Sequence, residues 1–172
     1  KTYGEELKWL TTDKTRMKWV AKTIQDISSS GNTLILVDRI SAGEILEEQI
    51  EDSVFVSGST KNTDRKEQYD EISTATNKVI IATYGVAAVG INIPRIFNLV
   101  LIEPGKSFVR VIQSIGRGIR KAEDKDSVQI WDITSSCKFA KRHLGARKKF
   151  YKEANYPYNI EKINYENPYT RR

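Results

Sequence analysis

Short apolar runs alternate along this chain with longer segments in which apolar residues recur at helical spacing. The runs are too short for helices and predict buried strands; they are Thr33–Val37, Val54–Val56, Val79–Thr83, Leu99–Ile102 and Val128–Ile133. Because the runs are apolar at consecutive positions, both faces of each strand are expected to be covered, as is typical of parallel sheets.

The segments between the strands predict helices. Apolar residues repeat at helical spacing between Thr12 and Ile27, which indicates a lead-in helix. Ser41 and Glu44 have the spacing of a capping box, so a second helix is expected to begin there. Further helices are predicted at 64–72, 107–116 and 136–154. The alternation indicates an α/β fold in which a parallel sheet with right-handed crossovers carries helices on both faces.

Ligands of such folds bind outside the carboxyl ends of the strands. The candidate segments are therefore those that follow each strand: Asp38–Arg39, Ser57–Gly58, Thr83–Gly90 and Glu103–Lys106. The sequence predicts that side chains from these segments form the functional edge of the molecule.

Length and composition limit the alternatives. The 172 residues are enough for one domain with a substantial core, and no apolar run approaches the roughly 18 residues that a membrane span needs. The single cysteine, Cys137, has no internal disulfide partner, and a cytoplasmic location is expected.

The net charge of +6 is concentrated at one end of the chain. Residues 138–172 contain 10 Lys and Arg against 3 Asp and Glu, whereas residues 1–137 contain 18 against 19. Such a basic block binds nucleic acid well, because lysine and arginine release condensed counterions from phosphates. A solvated surface helix explains the same charge, and charge by itself does not decide between them.

Two segments carry a more specific signal. Val79–Pro94 joins a predicted strand to a stretch of small residues that includes Gly85 and Gly90, where a backbone can approach a ligand closely. Gln113–Arg120 follows the fourth strand and contains two arginines three residues apart. If the helix continues through both, Arg117 and Arg120 lie on one face and converge on one anion.

These two segments resemble motifs V and VI of superfamily 2 helicases, in the order and at the separation typical of that family. Leu34–Arg39 and Val56–Gly58 resemble two earlier family segments more weakly. The resemblance implies a RecA-like domain, the second of the two that form such a motor, and is greatest with phage helicases of DNA recombination and repair. Residues 1–30 are then a lead-in from a preceding half, 31–155 the RecA-like domain and 156–172 a tail.

The resemblance also implies roles for individual residues. Arg117 and Arg120 are expected to act as arginine fingers on the γ-phosphate of ATP. Gln113, Gly90 and Asn92 are expected to line the nucleotide cleft. A further set is expected to hold strand phosphates through hydroxyl, guanidinium and backbone N–H groups: Arg39, Ser57, Gly58, Thr83 and Tyr84.

This chain departs from the family pattern at two positions: Ser114 stands where many relatives have arginine, and Asn92 where many have aspartate. The turn Pro104–Ser107 superficially resembles a phosphate-binding P-loop, but Val100 occupies the position of the required glycine. ATP and Mg²⁺ are therefore expected to be bound mainly by an N-terminal RecA-like half of the same protein. The sequence does not predict a metal site in this chain.

The expected partners are DNA, single-stranded or branched, or an RNA–DNA hybrid, together with that N-terminal half. Two other functions fit the same fold. One is a catalytically silent RecA-like module that binds nucleic acid or protein. The other is an independent enzyme, such as a small-molecule transferase, that uses Gly85–Gly90 as its anion loop.

Overall fold

A computed structural model describes residues 2–58, 62–71, 75–89, 93–105, 108–120 and 128–165. The helices are α1 (Tyr3–Thr12), α2 (Lys14–Ser28), α3 (Ile40–Gln49), α4 (Asn62–Glu71), α5 (Tyr84–Ala88), α6 (Phe108–Gly118) and α7 (Lys138–Glu153). The strands are β1 (Thr33–Val37), β2 (Ser53–Val56), β3 (Val79–Thr83), β4 (Ile93–Pro94), β5 (Asn98–Ile102), β6 (Ile119–Arg120) and β7 (Gln129–Ile133).

Five of these strands form one parallel sheet in the order β2-β3-β1-β5-β7. The five strands that the apolar runs predict are those five, and their bounds agree to within one residue. The predicted α/β fold with a parallel sheet is therefore confirmed. The described strands also include a separate pair, β4 and β6, which the sequence analysis did not anticipate.

Alternate residues of the central strands enter two separate cores. Leu34 and Leu36 pack on one face of the sheet, whereas Ile35 and Val37 pack on the other. Helices α5, α6 and α7 cover the first face, and α2 and α3 cover the second. This arrangement explains why the central strands are apolar at nearly every position. No described helix has the length and apolar character needed to cross a membrane.

Two helix starts differ from the predictions. Helix α1 precedes the predicted lead-in helix, and Asp13 separates the two by accepting a hydrogen bond from the Arg16 N–H at 3.0 Å. Helix α3 already begins at Ile40 with Arg39 at its N-cap, and no side chain caps it. The predicted capping box at Ser41 is therefore wrong, because the chain turns helical immediately after β1.

Helix α1 is fixed to the far end of the chain. The buried Glu6 carboxylate accepts hydrogen bonds from the backbone N–H groups of Phe139 and Ala140, both at 3.0 Å, at the start of α7. A carboxylate there satisfies orphan donors and complements the helix dipole. The Tyr3 ring meets the His143 ring edge-on at 4.9 Å. His143 is buried, because α1 covers it.

Candidate functional site

Three of the predicted segments leave the sheet side by side. The sheet order places β3 between β2 and β1, with Val37 opposite Thr83 and Val56 opposite Ala82. Neighbouring strands lie about 4.8 Å apart, so the residues that follow these strands begin within roughly 10 Å of one another. We call these residues the open half of the carboxyl edge; they are Asp38, Arg39, Ser57, Gly58, Thr83 and Tyr84.

Charged and polar groups of the open half remain within reach of solvent. The Arg39 side chain is 30% exposed, and its Nε donates to Asp38 Oδ2 at 2.8 Å. The other Asp38 oxygen is buried and has no hydrogen-bond partner among the described residues. Ser57 is buried, whereas Gly58 is exposed with open space where a side chain would be. A ligand can therefore approach the backbone at Gly58 closely.

The motif V segment begins with a helical turn where the sequence suggested a loop. Thr83 caps α5, since its hydroxyl oxygen accepts from the Val86 N–H at 3.2 Å. Tyr84 points inward and donates its hydroxyl to the Ile102 carbonyl at 2.9 Å, and burial raises its pKa well above the usual value. The Tyr84 hydroxyl is thus committed inside the fold.

The ends of β5 and β7 are closed by a buried ion pair. Arg16 of α2 donates to Glu103 Oε1 at 2.7 Å, and the two side chains are 2% and 3% exposed. The Thr134 hydroxyl donates to the other Glu103 oxygen at 3.0 Å. Burial raises the pKa of Glu103 to about 7, although the charge of Arg16 and the Thr134 hydrogen bond both lower it. Glu103 is therefore part of the packing at this edge.

A second buried arginine completes this closed half. Arg147 of α7 contacts both oxygens of Asp132, through Nε at 2.6 Å and Nη2 at 2.9 Å, and donates to the Pro104 carbonyl at 2.8 Å. The Tyr151 hydroxyl also donates to Asp132, at 2.7 Å, and its pKa is raised mainly by burial. We define the closed half as Arg16, Glu103, Asp132, Thr134 and Arg147.

Sequence analysis did not identify the pairings of the closed half. Arg16 and Glu103 are 87 residues apart, and Arg147 and Asp132 belong to different elements. A basic residue on an otherwise apolar helix face is the only local signal, and Arg16 lies beside Met17 and Val20 in such a face. Glu103 was expected among the site residues because it follows a strand, whereas Lys106 lies outside the described residues.

Motifs V and VI meet in the small second sheet. Helix α6 ends at Gly118, and Ile119 and Arg120 continue as β6, which pairs in parallel with β4. Pro94 lies opposite Arg120 in this pairing. The prediction that one helical face carries Arg117 and Arg120 is wrong, because Gly116 and Gly118 favour an end to the helix before Arg120 is reached.

The remaining predicted residues are described only in part. Gln113 is exposed on α6. Gly90 and Asn92 lie outside the described residues, as do the side chains of Ser114, Arg117 and Arg120. For Arg117 and Arg120 the structure therefore describes the backbone, which lies in α6 and in β6 respectively.

Comparison with protein families identifies the class of domain. The family described as "Helicase conserved C-terminal domain" matches residues 15–122, which include α2, the open half and the β4–β6 pair. The chain belongs to this family. The family predicted from motifs V and VI is thereby confirmed.

Individual relatives agree with this assignment. The chain is 29% identical over 155 residues to the ATP-dependent DNA helicase uvsW of Enterobacteria phage T4, covering 87% of this chain and 31% of that protein. The crystal structure of T4 UvsW superimposes with a TM-score of 0.81 at 23% identity, over 96% of this chain and 38% of that one. The chain thus spans about a third of these relatives.

A more distant structure shows the same fold. The C-terminal domain of the DEAD-box protein Dbp5 superimposes with a TM-score of 0.58 at 19% identity, over 79% of each chain. The predicted RecA-like architecture is therefore confirmed by structural neighbours as well as by the parallel sheet.

Proposed function

We propose that this chain is the second motor half of an ATP-dependent DNA helicase or translocase, acting in recombination, repair or fork remodelling. The observation that carries the proposal is the pairing of β4 with β6, which brings the end of motif V against Arg120. Helix α5, at the start of motif V, packs on α6, which carries motif VI. The two motifs thus form one unit beside the open half.

The arginines supply the catalytic part of the proposal. ATP bound by the other half supplies the γ-phosphoryl group, and Arg117 and Arg120 stabilise the charge that develops on it. Positioned arginines of this kind contribute roughly 10³–10⁵ in rate. Gln113, which is exposed on α6, contributes to the nucleotide cleft with Gly90 and Asn92.

The donor set of this chain fits the phosphates of ATP better than it fits Mg²⁺. Guanidinium groups bind phosphate oxygens, often through two hydrogen bonds at once. Mg²⁺ prefers carboxylate, water and phosphate oxygens, and the described residues include no group of three or more His, Cys, Asp and Glu side chains that could hold a metal. The N-terminal half is therefore assigned both the triphosphate and its Mg²⁺.

The open half supplies the grip on the strand. Arg39 offers a partly exposed guanidinium, and Gly58 offers backbone with open space beside it. Tyr84 is the first residue of α5, and Thr83 is its N-cap, whose hydroxyl accepts from the Val86 N–H. The remaining N–H groups of a helix's first turn favour anions. Contacts of this kind position the protein on phosphates and carry no base sequence, so little sequence preference is expected.

The relatives support the choice of substrates. The T4 protein is named an ATP-dependent DNA helicase, and a Dbp5 structure from S. cerevisiae contains RNA and ADP BeF3. The choice of DNA over RNA for this chain depends on the T4 relative.

The test is the substitution Arg120→Ala in the intact protein that contains both halves. Nucleic-acid-stimulated ATP hydrolysis should fall by roughly 10³-fold or more, because the developing charge loses its cation. Arg110→Ala is the matched control, since Arg110 is exposed on α6, the helix that leads into Arg120, and lies outside motif VI. ATP turnover by this control should stay within about twofold of the wild-type rate.

Undiminished hydrolysis by the Arg120→Ala protein would contradict the arginine-finger assignment. If the wild-type protein itself hydrolyses no ATP with DNA present, the chain functions as a catalytically silent binding module. Tight ATP binding by the isolated chain would instead support an independent nucleotide enzyme.

A further inference from the structure

An aromatic shelf lies where α7 ends, within the basic C-terminal segment and outside the open half and the motif V and VI segments. Its exposed surface is formed by Tyr156 and Tyr158, which are 42% and 46% exposed. Together with Tyr151, Lys152, Asn155 and Pro157 they line an open cavity of about 370 Å³. Large rings are rarely left exposed beside each other on a soluble domain without a partner that covers them.

The shelf is rigidly supported from below. Asn155 adopts a left-handed conformation with φ of 60°, which ends the helix and turns the chain back. The Tyr156 N–H then bonds the Tyr151 carbonyl at 2.8 Å. The Tyr158 ring lies 5.8 Å from the Tyr151 ring, which Asp132 holds in place through the phenolic hydroxyl. The exposed rings therefore do not need to be ordered by a ligand.

A stripe of positive charge leads to this shelf. Lys141, Lys148 and Lys152 are spaced seven and four residues apart, so they lie along one side of α7, away from the buried His143 and Arg147. The stripe is about 16 Å long at the helical rise of 1.5 Å per residue. The one acidic residue of the helix, Glu153, is rotated from Lys152 by about 100°.

Gly145 interrupts the same stripe between Lys141 and Lys148. It lies inside a helix, where glycine is less stable than alanine. A Cβ added there would meet nothing within 4 Å, so packing within this chain does not require a glycine. The bare backbone allows another molecule to approach the helix more closely than a side chain would permit.

We propose that the lysine stripe and the aromatic shelf together bind single-stranded nucleic acid, with phosphates along Lys141, Lys148 and Lys152 and a base stacked on Tyr156 or Tyr158. This combination of a basic track and exposed rings is how proteins hold single strands without reading sequence. The choice of nucleic acid as occupant depends on the proposed function, whereas the location on α7 does not. This surface adds a contact with nucleic acid outside the open half and outside motifs V and VI.

Charge and shape both favour a single strand over the other occupants. An acidic peptide would match the lysines but offers no flat ring for the shelf. A duplex would match the lysines but keeps its bases paired and unavailable for stacking. Only an unpaired strand presents regularly spaced phosphates and exposed base faces together.

The first experiment tests the shelf in the 172-residue chain with a fluorescently labelled oligo-dT. Tyr156→Ala combined with Tyr158→Ala should weaken binding about ten- to hundredfold at fixed salt, because stacking on each base is lost. Trp9→Ala is the matched control, since Trp9 is 42% exposed on α1 and should leave affinity within about twofold. A 2-aminopurine base in the strand should be quenched by the wild-type chain and not by the double variant.

The second experiment separates the stripe from net charge. Lys148→Gln with Lys152→Gln removes two stripe lysines, and Arg142→Gln with Lys149→Gln removes two exposed charges from another side of α7. The slope of log affinity against log salt should fall by about 1.4 for the first pair, because each phosphate contact contributes about 0.7 on a single strand. The second pair should change the slope by less than about half as much.

A third variant, Gly145→Met, checks the surface without weakening the fold. Methionine favours the helix, so thermal stability should be retained or raised, while its side chain should block close approach and weaken oligo-dT binding. Circular dichroism shows that each variant is folded before its affinity is compared.

The proposal would be overturned if the two charge pairs lowered the salt slope equally. It would also be overturned if the double tyrosine variant bound oligo-dT as tightly as the wild type does. Competition by polyglutamate as strong as by unlabelled oligo-dT would do the same, because it would assign the surface to an acidic protein. Oligo-rU is expected to compete like oligo-dT. The Arg120→Ala assay in the intact protein judges the proposed function separately, so the two ideas can fail independently.

Discussion

The two halves of the sheet's carboxyl edge use charged residues in opposite ways. In the open half, Arg39 is partly exposed and pairs with its own neighbour, Asp38. In the closed half, Arg16 and Arg147 are almost completely buried, and each bonds a carboxylate and a backbone carbonyl. The same edge thus contains one partly exposed arginine, Arg39, and two arginines whose hydrogen bonds are made within the fold.

Helices α1, α2 and α7 create this difference. They lie over the ends of β5 and β7, where Arg16 of α2 bonds Glu103 and Arg147 of α7 bonds Asp132. A buried charge is tolerated only when its partners have good geometry. The buried arginines of the closed half therefore form hydrogen bonds with carboxylates and backbone carbonyls. The rule that ligands bind at carboxyl ends of strands therefore applies here to only part of the edge.

Breaking the closed half should produce the largest loss of stability. Arg147→Ala leaves Asp132 without its ion partner beneath α7 and leaves the Pro104 carbonyl without a donor. The free energy of unfolding should fall by about 3–5 kcal/mol, as for other broken buried pairs. Urea unfolding of the chain measures this change.

The exposed Arg110 provides the comparison for that result. Arg110→Ala should change the free energy of unfolding by less than about 0.5 kcal/mol, because no buried partner is left behind. If Arg147→Ala lowered the free energy of unfolding as little as Arg110→Ala does, the buried ion pairs would not stabilise the packing of the terminal helices. The two halves of the edge would then not differ in how they use arginine.

A smaller and pH-dependent effect is expected at Glu103. Its pKa is about 7 in the fold against 4.5 for an unperturbed carboxyl. The folded state therefore binds more protons between these values, so the contribution of Glu103 to stability is complete below about pH 4.5 and is lost as pH rises through about 7. Glu103→Gln cannot titrate and lacks this dependence.

Denaturant unfolding of the wild type and of Glu103→Gln at several pH values measures this pH dependence of stability. From about pH 5 to about pH 8 the wild type should lose on the order of 2 kcal/mol relative to Glu103→Gln. A difference that stays constant with pH would mean that the pKa of Glu103 is not raised by burial.

The smallest effect on stability is expected in the open half. Arg39→Ala removes a partly exposed ion pair, which should cost no more than about 1 kcal/mol. Binding of oligo-dT should nevertheless weaken, and its salt slope should fall by about 0.7 if Arg39 contacts one phosphate. Lys22→Ala, at an exposed position of α2 outside the open half, should leave both quantities unchanged. If Arg39→Ala lowered the free energy of unfolding more than Arg147→Ala does, the open half and not the closed half would contribute more to the stability of the fold.

The five main strands could be predicted from the sequence because each is a short run of mostly apolar residues. The run is most complete in the central strands, which are buried on both faces, whereas the edge strand β7 contains Gln129 and Asp132 and is only partly buried. The short elements could not be predicted from the sequence in this way. Strands β4 and β6 have two residues each, and α5 has five, so none carries enough periodicity to be recognised. Arg120 shows the consequence, since its predicted helical position became an extended one paired with Pro94.

The sequence by itself determined the layered α/β fold and, through motifs V and VI, the helicase family, because apolar periodicity and short motifs are local properties. Only the tertiary structure decided which charged residues at the sheet edge are consumed by packing. The local signal at Arg16, a basic residue on an apolar helix face, does not identify its partner, because Glu103 is 87 residues away in the chain. Pairing of distant residues follows from the order of strands and helices in space, and no window of sequence contains it.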